Sequence, residues 1–205
     1  MPSLYPLKKE DIPKAVDSLK DAFKDDPLWA EIFKEESNKD EALSAFFTCP
    51  LLYGMKFGKV YAASPRLEGI AAWVHGKYSD MSMWRMLRCG ALPYGMKMGK
   101  ETIKNLNIIK QVVSDRERMM KGKPYIYILI IGISSPYQGK GLGSVLMDAI
   151  KKEADRDGFY IYLETEKEEN LKFYKKHGFS VLQRIVFRKI NLPMWELARK
   201  PGSLD

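Results

Sequence analysis

The chain has 205 residues, 45% hydrophobic and 29% charged, with a formal net charge of +8. This is the composition of a globular protein long enough to bury a substantial core. No apolar run approaches the ~20 residues of a membrane span, and the opening MPSLYPLKKED lacks the apolar segment of a secretory leader, so a cytoplasmic location is the default. Cys49 and Cys89 form neither a disulfide framework nor a metal-ligand pair, and with only two histidines no metal site is expected. The basic residues are scattered rather than blocked, which argues against a nucleic-acid partner.

In chain order, residues 4–7 read as a short edge strand closed by Pro6. A helix starts at Asp11-Ile12-Pro13, with Asp11 as N-cap and Ala15, Val16, Leu19, Ala22 and Phe23 as its apolar face. Asp25-Asp26-Pro27 breaks it, residues 28–34 resume helix, and residues 41–57 form a bulky core helix. Strands at 60–64 and 67–75 join at Pro65-Arg66 as a hairpin.

Residues 78–122 are too many for a hairpin loop and read as a helical insert: a helix at 81–88, then a long helical stretch from 93 to 120 with Gly95 and Gly99 as its weak points. Methionines concentrate there, including Met83 and Met86, and unbranched thioethers adapt to irregular apolar shapes. They could line an acceptor pocket, or merely pack the insert onto the rest of the chain.

Residues 126–151, IYILIIGISSPYQGKGLGSVLMDAIK, join an isoleucine-rich buried strand to a helix whose Leu142, Val145, Leu146, Ala149 and Ile150 recur at helical spacing. The turn between them, from Gln138 to Gly143, sits at a helix N-terminus. There the first N–H groups lack partners, the dipole is positive, and glycines let an anion approach. A nucleotide-hydrolysing loop would need glycine at Ser134 and Ser or Thr at Gly141. The dinucleotide fingerprint fails at Ser144 and at Leu146. A glycine-rich turn without a ligand stays open on this evidence alone.

Residues 159–164 then read as a second buried strand, and 168–178 as a short helix closed by His177-Gly178, with Asn170 and Tyr174 on one face. Two final strands are expected at 180–187 and 188–195. The order of elements is α+β: a mixed, mostly antiparallel sheet covered by helices.

Gln138-x-x-Gly141-x-Gly143 between strand and helix, followed by Asn170-x-x-x-Tyr174-x-x-x-Gly178-Phe179, resembles the two central motifs of the GCN5-related N-acetyltransferase (GNAT) superfamily. Ala22-Phe23-x-Asp25-x-Pro27, Leu163-Glu164-Thr165 and Trp195 before Arg199-Lys200-Pro201-Gly202 extend the likeness, which is greatest to the puromycin N-acetyltransferase group. The insert departs from that group in detail, so puromycin itself is not implied.

The resemblance implies the acyl-CoA N-acyltransferase fold, with 1–205 as one N-acetyltransferase domain. It also implies acetyl-CoA as co-substrate. Gln138, Gly139, Lys140, Gly141, Leu142, Gly143 and Ser144 would hold its pyrophosphate, with Ile131, Ile133 and Asn170 on the pantetheine arm. Tyr174 would protonate the departing thiolate. A primary amine near pKa ~10 must lose a proton before it attacks. Glu164, at the end of the second buried strand, is the first candidate for that base. A glutamate there is as commonly just solvated, and Glu166, Asp25 and Asp26 are the other carboxylates in reach. The implied reaction is direct acetyl transfer to a small-molecule amine. The alternatives are acetylation of a protein lysine or N-terminus, or a coenzyme-binding regulatory module without catalysis. A homodimer is open to such a chain.

Overall fold

The computed structural model describes residues 4–203; residues 1–3 and 204–205, the outer ends of the expected domain, lie outside the described residues. Seven strands make one sheet: β1 (Tyr5–Pro6), β2 (Gly58–Ala62), β3 (Gly69–His75), β4 (Tyr125–Ile133), β5 (Tyr160–Thr165), β6 (Ser180–Phe187) and β7 (Leu192–Arg199). Their order across the sheet is β1-β2-β3-β4-β5-β7-β6. Only β4 and β5 run parallel; the other neighbours are antiparallel. This is the α+β architecture expected from the sequence. The last strand begins four residues later than expected, because residues 188–191 form a turn in which Asn191 takes φ +50°.

The helices are α1 (Ile12–Ala22), α2 (Pro27–Ile32), α3 (Lys39–Phe57), α4 (Met83–Arg88), α5 (Leu92–Lys97), α6 (Lys100–Asn105), α7 (Lys110–Met119), α8 (Leu142–Asp157) and α9 (Asn170–Lys176). On one face of the sheet, Leu146, Met147, Ile150 and Ala154 of α8 pack on Ile126, Ile128, Ile161, Leu163 and Leu197. Each such fully buried aliphatic side chain contributes about 1.5–3 kcal/mol. On the other face, Ala15, Val16 and Leu19 of α1 and Phe47 and Leu51 of α3 cover Val60, Ile70, Ala72 and Ile130. The fit of α1 is close: a Cβ on Gly132 would meet Phe23 at 2.8 Å and Leu19 at 3.0 Å.

Two features of β4 position the site. Its pairing with β5 covers Tyr125–Tyr127 against Tyr160–Tyr162 and goes no further, so the two strands part toward their C-terminal ends. Its pairing with β3 slips where Ala72 faces Ile130 and Trp73 faces Ile128, which leaves Leu129 as an extra residue. The irregularity therefore lies at Leu129. Such a bulge bends its strand. It also lets Leu129 and Ile130 both pack toward α1 and α3, while Ile131 and Ile133 lean on the α8 side.

The insert is helical as expected, but residues 93–120 are not one helix. They break at Gly99, one of the two expected weak points, and again through a 3-10 turn at Leu106–Ile109. A distant carboxylate explains the first break: Glu36 accepts from Gly99 N–H at 3.1 Å and from the Thr102 hydroxyl at 2.7 Å, supplying an N-terminal cap to α6.

Candidate active site

The loop before α8 has the geometry of an anion cradle. Gly139 and Gly141 take φ +73° and +82°, and a Cβ at either would meet nothing within 4 Å, so the glycines leave open space in front of the helix start. Leu142, Gly143 and Ser144 form the first turn of α8, where the N–H groups lack intrahelical partners. The Gln138 amide donates to Ile133 O at 3.0 Å, tying the loop to the end of β4. Lys140 is exposed, its ammonium 5.2 Å from the Tyr137 ring centroid. Ser144 Oγ lies 3.1 Å from His177 Nε2, linking α8 to the end of α9.

Asp21 braces the same loop from α1. Its carboxylate accepts from Ser134 Oγ and Ser135 N–H, both at 2.6 Å, and these bonds lower its pKa to about 2. An acyl chain carrying a pyrophosphate could lie along Ile131 and Ile133, where the edge of β4 that faced β5 has lost its partner strand. Asn170 opens α9 and donates from Nδ2 to Thr165 Oγ1 at 3.0 Å, fixing the helix to the end of β5.

Glu164 and Tyr174 stand on opposite faces of the sheet beside this opening. Along β5, Ile161 and Leu163 face α8, whereas Tyr162 and Glu164 face the insert. There Glu164 accepts from Arg116 Nη1 at 3.2 Å, and burial pushes its carboxyl up to about 7 against the opposing pull of Arg116 and Tyr127. Arg116, 2% exposed, reaches down from α7; its Nη2 donates to Ser79 O at 3.0 Å and its guanidinium lies 4.0 Å from the Tyr127 ring centroid. Across the strand, the Tyr162 hydroxyl donates to Glu196 at 2.8 Å and the Gln183 amide at 3.2 Å. This polar cluster sits in an otherwise apolar layer with Met120. Tyr174 packs among Leu146, Leu163 and Phe179, and burial, with Glu166 nearby, raises its hydroxyl pKa, so it stays protonated at neutral pH.

The other carboxylates separate. Asp26 is 1% exposed and caps α2, accepting from Leu28 N–H at 3.0 Å and Trp29 N–H at 3.2 Å. It also shares a hydrogen bond with Glu166, whose carboxyl is pushed up to about 9 by burial and by that neighbouring carboxylate. Asp25 is exposed. Glu166 lies past the end of β5, so it does not continue the alternation that places Glu164.

Of the α4 side chains that could line an acceptor pocket, Met83 is 72% and Trp84 66% exposed, while Met86 is half-buried. The insert meets the sheet instead through α7 and the residue after it, with Val112, Arg116 and Met120 turned inward. Sequence reasoning passed over Arg116 and Tyr127. Their signal is the recurrence of Val112, Arg116 and Met120 every four residues, which places an arginine on the buried face of an otherwise polar helix.

Among the described residues, His75, Glu153 and Asp157 have donor atoms within 4.8 Å of one another. His75 and Glu153 line a cavity of about 320 Å³ on a wall away from the glycine loop. The carboxylates there already face cations: Lys59 stands 3.1 Å from Glu153, and Arg156 binds both oxygens of Asp157 at 2.6 and 2.8 Å.

Residues 106–179 match the sequence profile of the Acetyltransferase (GNAT) family. An uncharacterised N-acetyltransferase of Schizosaccharomyces pombe is 27% identical over 207 aligned positions, covering 96% of this chain and 83% of the relative. Among solved structures, the histone acetyltransferase HPA2 and related acetyltransferase of Corynebacterium glutamicum superposes with a TM-score of 0.67 at 20% identity, covering 98% of this chain and 97% of the other. Arylalkylamine N-acetyltransferase 2 of Aedes aegypti gives 0.63 at 14% identity, covering 97% and 98%. The described chain thus has the acyl-CoA N-acyltransferase fold, and its residues 106–179, which hold the glycine loop and α9, match the GNAT family.

Proposed function

We propose that the chain is one N-acetyltransferase domain that moves an acetyl group from acetyl-CoA to the primary amine of a small molecule, with Glu164 as proton acceptor. The observation that carries this reading is the Glu164 carboxyl, enclosed beside the parted strands and pushed up to about 7 by burial. A base near neutrality both holds the needed charge and draws a proton from an ammonium group.

The loop fits the pyrophosphate of the coenzyme, because Gly139 and Gly141 leave free the space that any Cβ would enter. The backbone N–H groups of 139–144 would bind it, with Gln138 and Lys140 beside them. Ile131, Ile133 and Asn170 would orient the pantetheine. Bound acetyl-CoA supplies an activated thioester; the chain supplies the proton transfers. Glu164 Oε takes the proton from the attacking nitrogen, and the Tyr174 hydroxyl, still protonated at working pH, gives one to the sulfur that leaves. Starting from the ammonium, the nitrogen loses two protons: Glu164 passes the first to solvent before attack, and the second, lost as the amide forms, offsets the one Tyr174 gives to sulfur and regains from solvent. The products are amide, thiol and one solvent proton, with no covalent enzyme intermediate.

A small acceptor is favoured because Glu164 is closed in by Arg116, Tyr127 and Tyr162 rather than lying in an open groove. Kinship to the puromycin N-acetyltransferase group is drawn from Ala22-Phe23-x-Asp25-x-Pro27, Leu163-Glu164-Thr165 and Trp195 before Arg199-Lys200-Pro201-Gly202. The rival reading, a protein acetyltransferase, draws on the histone acetyltransferase in the name of one structural relative. Release of free thiol from acetyl-CoA, followed with a panel of small amines and of Lys and N-terminal peptides, separates the two. Turnover with small amines and none with peptides is expected; turnover with peptides alone would overturn the small-molecule reading. Turnover with neither class would remove the transferase.

A further inference from the structure

The helical insert does more than cover the sheet, and Arg116 is where it does so. The residue lies on α7, yet its guanidinium spans two distant parts of the chain: Glu164 at 3.2 Å, 48 residues away, and Ser79 O at 3.0 Å, 37 residues away. Ser79 lies at the entry of the insert and Arg116 near its exit, so one side chain closes the insert upon itself and presses it on β5. The guanidinium face lies over Tyr127 of β4. Its Nε–H has no hydrogen-bond partner among the described residues, which is a cost in the interior. An arginine 2% exposed and only partly satisfied is a poor choice for stability alone, since an apolar side chain of similar volume would often serve as well.

We propose that Arg116 is a positioning residue of the transfer reaction, by which the insert holds the Glu164 carboxylate in place and in its charged form. The proposal rests on Glu164 being the base. The groups that face Glu164 are Arg116 from α7, Tyr127 from β4, Tyr162 from β5 and Glu196 from β7. Arg116 is the one cation among them. Burial and Glu196 favour the neutral acid, and the guanidinium, ahead of the Tyr127 hydroxyl, keeps the carboxylate available as a proton acceptor near neutral pH. Arginine suits the task because its planar fork bonds a carboxylate and a carbonyl at once while stacking on a ring, which an ammonium cannot do.

The test is the pH dependence of kcat/KM in the Arg116→Met and Arg116→Lys variants, with acetyl-CoA affinity and melting temperature measured alongside. Removing the cation should move the acid limb of Arg116→Met upward by about one to three pH units. Activity at pH 7 should fall roughly tenfold or more, and much of it should return at high pH. Arg116→Lys should keep the limb within about half a unit and still lose at least about fivefold in kcat, since charge is restored but the two-point hold is not. A folded Arg116→Met with an unmoved limb would reduce Arg116 to packing. Should Arg116→Met not fold, an unchanged kcat in Arg116→Lys would overturn the proposal by itself. Glu164→Gln separates this from the reading beneath it: if that variant keeps its turnover, the choice of base fails. If it loses turnover while the Arg116 variants behave like wild type, only the positioning role fails.

Discussion

The two halves of the candidate site are built on opposite logic. The loop before α8 is built on what is missing: Gly139 and Gly141 carry no side chains, which leaves open space and unpaired N–H groups where an anion would bind. The region under the insert works through what is crowded in: Arg116, Tyr127, Tyr162, Glu164 and Glu196 are packed together, and their charges are set by one another and by burial. The loop depends on local backbone geometry, and the polar cluster depends on long-range contacts. Substitutions should therefore fail differently on the two sides: on the loop by losing coenzyme, under the insert by losing chemistry.

The loop side should give the largest effect. Gly141→Asp places a carboxylate and a Cβ at φ +82°, where the pyrophosphate would sit. Acetyl-CoA Kd should rise by at least about a hundredfold, from the charge repulsion and the strain together. Calorimetry on the folded variant reads this directly; unchanged affinity would mean that the helix start is not the anion site. Next is Tyr174→Phe, which should lower kcat by about ten- to a hundredfold while coenzyme Kd holds, as expected of a group acting in the transition state. An undiminished chemical step would take Tyr174 out of the reaction.

A smaller effect should appear in stability. Glu166 holds its proton in the folded state up to about pH 9, whereas an unfolded glutamate releases it near pH ~4.3. The folded state thus binds the extra proton, and the wild type should lose stability as pH rises through that window. Glu166→Gln keeps a donor for Asp26 and has nothing to titrate. Its melting temperature should gain on wild type steadily from about pH 5 to pH 9. A difference independent of pH would mean that the Asp26–Glu166 pair does not share a proton. The smallest effect is expected from Met83→Ala: at 72% exposure it should change stability by less than about 0.5 kcal/mol and leave acceptor KM unaltered. A shifted acceptor KM would return α4 to the site.

The same contrast explains what the sequence made legible. β4, the glycine turn, α8 and β5 were readable because each is declared by neighbouring residues: an isoleucine run, glycines before a helix, and apolar positions at 3.6-residue spacing. The insert was not. Its long helix breaks at Gly99 because Glu36, far back in the chain, caps the new N-terminus. Arg116 looked like one charge among many in KQVVSDRERM, since its partner Glu164 is joined to it only by folding. The bulge at Leu129 was hidden in an unbroken apolar run, where one extra residue alters register without altering composition. Glu164 is legible as a candidate base because it ends a strand; the burial that tunes it is a property of the packed molecule.

The most direct test of the account is a single-turnover measurement on Glu164→Gln with acetyl-CoA saturating and an accepted amine in excess. Glutamine keeps the size and a hydrogen-bond acceptor for Arg116 but cannot take a proton at neutral pH. The account predicts acetyl transfer slower by at least about a hundredfold, with acetyl-CoA Kd within about twofold of wild type. A chemical step within about threefold of wild type would contradict it and leave Glu164 as a structural partner of Arg116.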